Sequence, residues 1–431
     1  MNPESPLPQD LAGWLRHIEA QHPKSISMGL ERVAEVRRRL GLEPRFPVII
    51  VGGTNGKGST CAMLECIYRH AGYRVAGYSS PHLIRYNERV RINGQELDDA
   101  ALVAAFAAVE AARQDILLTY FEYGTLAAMW CFVQQGVDLA VLEVGLGGRL
   151  DAVNVFEPDC AVVTAVDIDH IEFLGSSRAE IGLEKAGIFR AGVPAVCGDR
   201  NPPETLMRHA ADIGADLRLR DLHFRPVLHN DGWDFEGAAR WPALPFPALR
   251  GEFQLDNASC ALATIEAMQE RLPVQREAIE SGLRSVHLAG RFQTVSSQPQ
   301  ILLDVAHNPH AAHALAHNLR HSKPAGKTLG VLGMLADKDI AGVISVMRSE
   351  IDRWYLSSVD HMRSASTTAL LDVFRGINVT EPYAGYENLA AALRQACLDA
   401  GKNDRIIAFG SFFTVAEIMQ ALPATVASVS R

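Results

Sequence analysis

The chain has 431 residues, a net charge of −9, 48% hydrophobic and 21% charged residues, and that length exceeds one comfortable hydrophobic core, so two domains are expected. The acidic balance speaks against nonspecific binding to nucleic acid or an anionic membrane, and no apolar run approaches the ~18 residues of a membrane helix. Pro3, Glu4, Pro6, Pro8 and Asp10 form no signal pattern, and the seven cysteines show neither CxxC nor Cys/His zinc spacing; a cytoplasmic protein with reduced, mostly buried thiols is expected.

Residues 11–40 carry helical spacing in two segments, with Leu11, Trp14, Leu15 and Ile18 on one face and Val33, Val36 and Leu40 on another. Between them lie His22-Pro23 and the loop Ser25-Ile26-Ser27-Met28-Gly29-Leu30. The β-branched run Val48-Ile49-Ile50-Val51 then empties into Gly52-Gly53-Thr54-Asn55-Gly56-Lys57-Gly58-Ser59-Thr60. That turn is a phosphate cradle. Its glycines admit close backbone approach, its N–H groups and the start of the next helix favour anions, and Lys57 adds a point charge. Gly58 separates Lys57 from Ser59, whereas the Walker pattern runs from lysine directly to Ser or Thr. The helix that follows places Met63, Leu64, Ile67 and Tyr68 on one face, as a strand–loop–helix phosphate site requires and a plain glycine hairpin does not.

Arg74–Tyr78 reads as a strand, followed by Ser79-Ser80-Pro81-His82-Leu83 and the basic run Arg85–Arg91. Strand ends in open α/β sheets face the ligand crevice, so the Ser80 hydroxyl falls within reach of a metal or phosphate, although serine before proline also forms turns. Asp98 caps a helix through Ala112, and Thr119-Tyr120-Phe121-Glu122-Tyr123 leads another that Gly136 ends. In Asp138-Leu139-Ala140-Val141-Leu142-Glu143, a continuous apolar strand carries a carboxylate near its carboxyl end. A buried carboxylate needs a partner, either Mg²⁺ beside a triphosphate or the nearby Arg149. Cys160–Val166 is a further buried strand ending in Asp167-Ile168-Asp169-His170, with His170 at the level of Ser80 and Glu143. In the helix Arg178–Phe189, Lys185 taken by itself reads as a surface ion-pair partner.

Alternation from Leu222 to Glu236 around Asn230-Asp231-Gly232 predicts a hairpin, before a proline-rich stretch from Trp241 to Pro247. Asp256-Asn257 opens the helix Ala258–Met268. A boundary at 293/294 is expected, near the turn Ser296-Ser297-Gln298-Pro299. It divides a P-loop-containing N-terminal domain with a mostly parallel sheet, 1–293, from a smaller Rossmann-like α/β domain, 294–431. In the latter, Ile301–Val305, Thr328–Leu332, Trp354–Ser357 and Ile406–Phe409 read as strands, with helices starting near Pro309, Asp339, Thr367, Tyr386 and Thr414. Polar clusters follow its first and last strands, at Asp304-Val305-Ala306-His307-Asn308-Pro309-His310 and Gly410-Ser411-Phe412-Phe413.

Together these stretches resemble the folylpolyglutamate synthase family of the Mur-ligase superfamily, in its bifunctional branch with dihydrofolate synthase activity, over nearly the whole chain. The resemblance is carried by Gly53–Ser59, Tyr78–Leu83, Leu142–Ala152, Asp169-His170, Glu184-Lys185-Ala186-Gly187-Ile188-Phe189, Gly290-Arg291-Phe292 and Asp304–His310. It implies ATP-dependent amide synthesis, in which the γ-phosphate of ATP passes to a pteroate or folate carboxylate and the amine of L-glutamate displaces phosphate from the acyl phosphate. On the same basis Thr54, Asn55, Gly56, Lys57, Gly58 and Ser59 would bind ATP, with Asn257, Arg291 and Asp304. Ser80 and Glu143 would hold one Mg²⁺, and Glu143 with His170 a second. Lys185 matches the family's carbamylated lysine, a role opposite to the surface reading. His307 and Ser411 would lie near the incoming glutamate, with Arg89. Ser27, Met28, Gly29, Thr119, Tyr120, Phe121, Glu122, Leu150, Asp151 and Ala152 match the pterin pocket. Catalytic work would fall to Lys57, His170, Lys185 and His307. The partners implied are dihydropteroate, tetrahydrofolates and L-glutamate, with neither nucleic acid nor membrane, acting on a monomer. The chain departs from the family pattern at Ala289, where proline is common, at Val153, where threonine is, and at Ser27, a position often held by aspartate.

Overall fold

A computed structural model describes residues 7–22 and 27–429, so Pro23, Ser25 and Ile26 of the first loop lie outside the described residues. The chain divides into two compact units. One comprises the chain up to Ala248 with Leu255–Val286; the other comprises Leu249–Gln254 with the chain from His287 onward.

The first unit is built on the strands β1 (Val48–Gly52), β2 (Val75–Tyr78), β3 (Val90–Ile92), β4 (Gln95–Glu96), β5 (Leu139–Glu143), β6 (Cys160–Val163), β7 (Pro194–Cys197) and β8 (Asp216–Leu219). Their order across the sheet is β4-β3-β2-β5-β1-β6-β7-β8. The six strands from β2 to β8 in that order are parallel, and β3 and β4 add an antiparallel edge. Every residue of β1, β2, β5 and β6 is buried. Helices on both faces leave no solvent side, which is why these strands are continuous apolar runs with no alternation. One core runs from Trp14, Ile18, Val33 and Val36 through the sheet to Phe106, Phe132 and Phe156. Two expected ends moved inward. The strand expected to Val166 stops at Val163, and the helix expected to Phe189 stops at Ala186.

A small antiparallel sheet, β9 (Arg225–Leu228), β10 (Trp233–Glu236) and β11 (Arg240–Leu244), follows in the order β11-β10-β9. The hairpin around Asn230-Asp231-Gly232 is therefore present, and the proline-rich stretch supplies a third strand. Pro242 is tolerated there because β11 is an edge strand, where a missing N–H breaks no ladder. The next helix begins at Glu252, ahead of Asp256.

In the second unit β12 (Gln293–Ser297), β13 (Gln300–Leu303), β14 (Thr328–Leu332), β15 (Arg353–Leu356), β16 (Tyr383–Gly385) and β17 (Arg405–Phe409) stand in the order β12-β13-β17-β14-β15-β16. All neighbours are parallel except β12 and β13, a hairpin closed by the Gln298-Pro299 turn. The expected boundary at 293/294 thus sits at the head of that hairpin. The compact units part at 286/287, and Phe292 packs with Leu302, Leu315, Trp354 and Phe409 in the second core.

Candidate functional site

In the first unit, β2, β5, β1, β6 and β7 are neighbours, so the loops after them leave the sheet side by side at its carboxyl edge. The register pairs Val51 with Glu143 and Gly52 with Val163. The glycine-rich turn after β1, the Ser79–Ser80 turn after β2 and the carboxylate ending β5 are thereby set next to one another.

The turn is held open by its own framework. Thr164 donates through Oγ1 to Asn55 O at 2.7 Å, Thr54 N donates to Ala165 O at 2.7 Å, and Thr54 Oγ1 bonds both Asp167 O and Asp167 N, at 3.0 and 2.9 Å. Gly53 and Gly56 have φ of 142° and 90°, and a Cβ on them would stand 2.0 Å from Thr164 Oγ1 and 2.3 Å from Asn257 Oδ1. Both left-handed backbone and close approach therefore require glycine. Lys57 opens the helix Lys57–His70, and its Nζ reaches back to the carbonyls of Gly53 and Thr54 at 3.0 and 3.2 Å. Ser59 and Thr60 are buried in the first turn, and Thr60 Oγ1 has no hydrogen-bond partner. Asn257, on the helix Glu252–Met268, is buried against the turn.

Glu143 is buried, and its Oε2 accepts the Ser80 N–H at 3.3 Å. Arg149, the alternative partner, is engaged with Glu184 at 2.7 Å. Among the described residues no three His, Cys, Asp or Glu side chains are grouped as a protein-only metal site would need. A phosphate-bound Mg²⁺ needs no such group, because it takes one or two protein oxygens and fills its octahedron with phosphate and water. A buried carboxylate beside a serine at the edge of the phosphate cradle fits that ion. His170 has a left-handed backbone, φ 53°, at the head of a short helix, Ile171–Leu174, and its side chain is 38% exposed.

Lys185 is 3% exposed, which overturns the surface reading. Helical periodicity marks a residue's face; it cannot show that the Gly148 backbone closes over the Glu184 and Lys185 carbonyls. Burial, and then the charge of Lys57, push the Lys185 amine down to about 7, against the pull of Asp169 and Asp151.

The expected pterin residues converge in part. A Cβ on Gly145 would stand 2.7 Å from the Phe121 ring, and one on Gly147 2.8 Å from Leu174 and 3.9 Å from the Met28 methyl. Thr119 and Glu122 form a capping box, and Glu122 is fully used: Oε2 accepts the Thr119 N–H at 2.7 Å and Oε1 accepts Arg32 at 2.9 Å. Arg32 also donates to the Ser27 carbonyl at 2.8 Å, tying that loop to the helix Tyr120–Gln135. Asp151 caps the turn Ala152–Val155 and accepts from Val153 N at 3.0 Å and Leu146 N at 2.8 Å. Burial raises its carboxyl to about 7 despite these bonds. Leu150 is half-buried and Ala152 buried beside it, and Gly29 has φ 130°. Arg89, expected near glutamate, donates to His82 Nδ1 at 2.8 Å and lies 5.4 and 5.5 Å from the Tyr86 and Tyr120 ring centres. Burial and the Arg89 charge press the His82 imidazole down to about 4.

In the second unit Asp304 leaves β13 and Ser411 follows β17, the adjacent strand. Asp304 is raised above the usual carboxylate range by burial, opposed by Arg291, and accepts from Phe292 N and Ala306 N at 2.8 Å each. Arg291 lies 5.2 Å from the Phe412 ring centre and the His307 ring 6.4 Å from it, so Phe412 gathers both. His307 Nδ1 bonds the Val305 carbonyl at 2.9 Å. Ser411 is buried, its hydroxyl capping Thr414 N at 2.9 Å. Thr164, Arg32 and Phe412 went unassigned from the sequence. Thr164 was read as part of the strand expected to Val166, and Phe412 lay in a cluster noted for its polar neighbours, so neither was singled out.

Residues 51–213 match the Mur ligase middle domain, and residues 290–412 match the Mur ligase glutamate ligase domain. The chain is 45% identical to the dihydrofolate synthase/folylpolyglutamate synthase of Escherichia coli (strain K12), over 96% of each chain. It is similar to the solved structure of E. coli FolC in complex with DHPP and ADP, with TM-score 0.92 and 43% identity, covering 97% of this chain and 99% of that one. A bifunctional folylpolyglutamate synthase/dihydrofolate synthase with Mn, AMPPNP and L-glutamate bound gives TM-score 0.89 and 44% identity, over 97% of this chain and 100% of that one.

Proposed function

The chain belongs to the Mur ligase family, in its dihydrofolate synthase/folylpolyglutamate synthase branch, and from that membership we infer how its residues divide the work of an ATP-dependent amide synthesis. The protein is a ligase that uses ATP to add L-glutamate to 7,8-dihydropteroate, forming dihydrofolate, and further glutamates to reduced folates. The observation that carries the reading is the preformed glycine turn under Lys57, with Ser80 and Glu143 joined at the neighbouring strand ends.

Phosphoryl transfer between two anions is limited by charge and alignment more than by covalent chemistry. The N–H groups of Asn55–Ser59 and the Lys57 ammonium hold the phosphates, while the Thr54 N–H is spent on the Ala165 carbonyl that shapes the turn. The bonds of Thr54 and Thr164 keep the turn in shape beforehand, so little reorganisation is left for the reaction. Ser80 and Glu143 would hold one Mg²⁺ and Glu143 with His170 a second, and such ions would neutralise charge on the transferred phosphate. The substrate carboxylate takes the γ-phosphate. The glutamate amine then attacks the acyl carbon, the C–N bond forms, the amine loses a proton and phosphate departs. Lys185, buried and held near neutrality, suits addition of carbon dioxide to its free amine, with loss of a proton, giving a carbamate beside Lys57. Ser27–Gly29, Thr119–Glu122 and Leu150–Ala152 receive the pterin, with Glu122 and Arg32 shaping the pocket. Asn257, Arg291 and Asp304 serve ATP; Arg89, His307 and Ser411 serve glutamate. The protein works as a monomer in the cytoplasm, and no described helix is long and apolar enough to cross a membrane.

The test is ADP release from purified protein with dihydropteroate and L-glutamate supplied separately and together. Turnover only with both is the expected result. ATP hydrolysis indifferent to either would support a nucleotide switch in place of a ligase.

A further inference from the structure

Behind the Ser79–Ser80 turn lies an ion pair that the phosphate cradle does not use. Glu65, on the helix that begins at Lys57, is 8% exposed and takes Arg91 with both oxygens, at 2.6 Å from NH2 and 3.2 Å from Nε. Arg91 lies on β3 and faces Gly77 of β2 in the ladder. A Cβ on Gly77 would stand 2.3 Å from the Glu65 carboxyl, so glycine alone leaves room for that carboxylate against the strand. The remaining Arg91 nitrogen, NH1, donates to Ser79 Oγ at 2.8 Å and to the Glu88 carbonyl. The Ser79 N–H is taken by the Arg89 carbonyl at 3.0 Å. One residue further, the Ser80 N–H meets Glu143.

One guanidinium therefore ties the cradle's helix, the β3 edge and the Ser79–Ser80 turn. Burying two charges is costly, and such a pair is a poor stabiliser compared with apolar packing. A planar fork that donates in fixed directions is well suited to registration, and lysine cannot copy it. Burial works to lower the Arg91 pKa; Glu65 and, less strongly, Glu143 outweigh it, so the cation is retained and feels both carboxylates.

We propose that Arg91, held by Glu65, is a positioning residue: it sets the Ser79–Ser80 turn so that Ser80 and Glu143 present their oxygens to the divalent ion that accompanies the nucleotide. The proposal rests on the reading of Ser80 and Glu143 as metal ligands. Its test uses purified full-length protein saturated with ADP, with free Mn²⁺ followed by electron paramagnetic resonance and ADP affinity without metal by calorimetry. Arg91→Met, Ser79→Ala and Glu143→Gln are compared with the parent, and melting temperatures report folding. Arg91→Met is expected to weaken Mn²⁺ binding roughly ten- to hundredfold, the range for residues that orient metal ligands, while metal-free ADP affinity stays at the parent's value. Ser79→Ala, which keeps the ion pair and loses one hydroxyl, should move Mn²⁺ binding the same way by a smaller factor. Parental Mn²⁺ affinity in a folded Arg91→Met protein overturns the proposal; if that variant does not fold, parental affinity in Ser79→Ala does so. Glu143→Gln separates the two layers. Its loss of Mn²⁺ with the other variants unaffected removes only the positioning role, and its retention of Mn²⁺ removes the metal-site reading and the proposal together.

Discussion

In the proposed mechanism Lys57 serves the nucleotide, and its side chain packs in no core; its nitrogen rests on two carbonyls of its own loop. Lys57→Ala should therefore lower turnover by ~10² or more, the scale for one preorganised charge, with an unchanged melting temperature. Near-parental turnover would remove the phosphate-cradle assignment. Lys185 behaves differently with pH. Its folded pKa, about 7, lies below the usual lysine value of 10.5, so the folded state binds that proton less tightly than the unfolded chain. The stability contributed by the neutral amine is complete above 10.5 and is lost as pH falls toward 7. A carbamate also needs the neutral amine, so activity should fall as pH drops through about 7, and added bicarbonate should restore part of it. Rate–pH profiles at two carbon dioxide levels measure this, and identical profiles would count against the modification. Read from its own neighbours only Lys57 stood out in the sequence, since its chemistry is written in adjacent glycines; Lys185 was singled out by the family resemblance alone. The burial of Lys185 is a product of tertiary packing.

The strands that build the cradle were legible because a strand covered on both faces is a continuous apolar run, as in Val48–Val51 and Leu139–Leu142. β7, β8 and the β3–β4 edge were not: Val90-Arg91-Ile92 mixes charge with β-branched residues, and β8 reads Asp-Leu-Arg-Leu. The turn after β5 combines shape and chemistry. Asp151 orders it by accepting from Leu146 and Val153, so Asp151→Ala should cost about 1–3 kcal/mol of stability for the orphaned N–H groups. A ligase that serves both dihydropteroate and a tetrahydrofolate must bring acceptor carboxylates differing in reach by one glutamate to the same phosphate. A separate pterin position for each acceptor is therefore expected. If Asp151 lines only the dihydropteroate position, its replacement should depress kcat/KM for dihydropteroate well beyond that for a tetrahydrofolate, both measured on one preparation so that folded fraction cancels. Equal losses would mean a shared pterin position.

At the level of the whole molecule, the α/β class was foreseen from alternating strand and helix patterns; the compact units part at 286/287, with Leu249–Gln254 also in the second, against an expected boundary at 293/294, and Phe292 packs with the second core. The two units share a design, a parallel sheet whose carboxyl-end loops carry the polar residues, and this suits a reaction that must handle a nucleotide, an acid and an amine. Such a ligase joins ATP cleavage to amide formation through one oxygen. That oxygen begins in the acceptor carboxylate and, if the γ-phosphate is transferred to it, ends in inorganic phosphate. Dihydropteroate labelled with oxygen-18 in its carboxylate tests the account most directly, with the released phosphate analysed by mass spectrometry during dihydrofolate synthesis. The account predicts one labelled oxygen in phosphate for each amide formed; unlabelled phosphate released alongside dihydrofolate would contradict it.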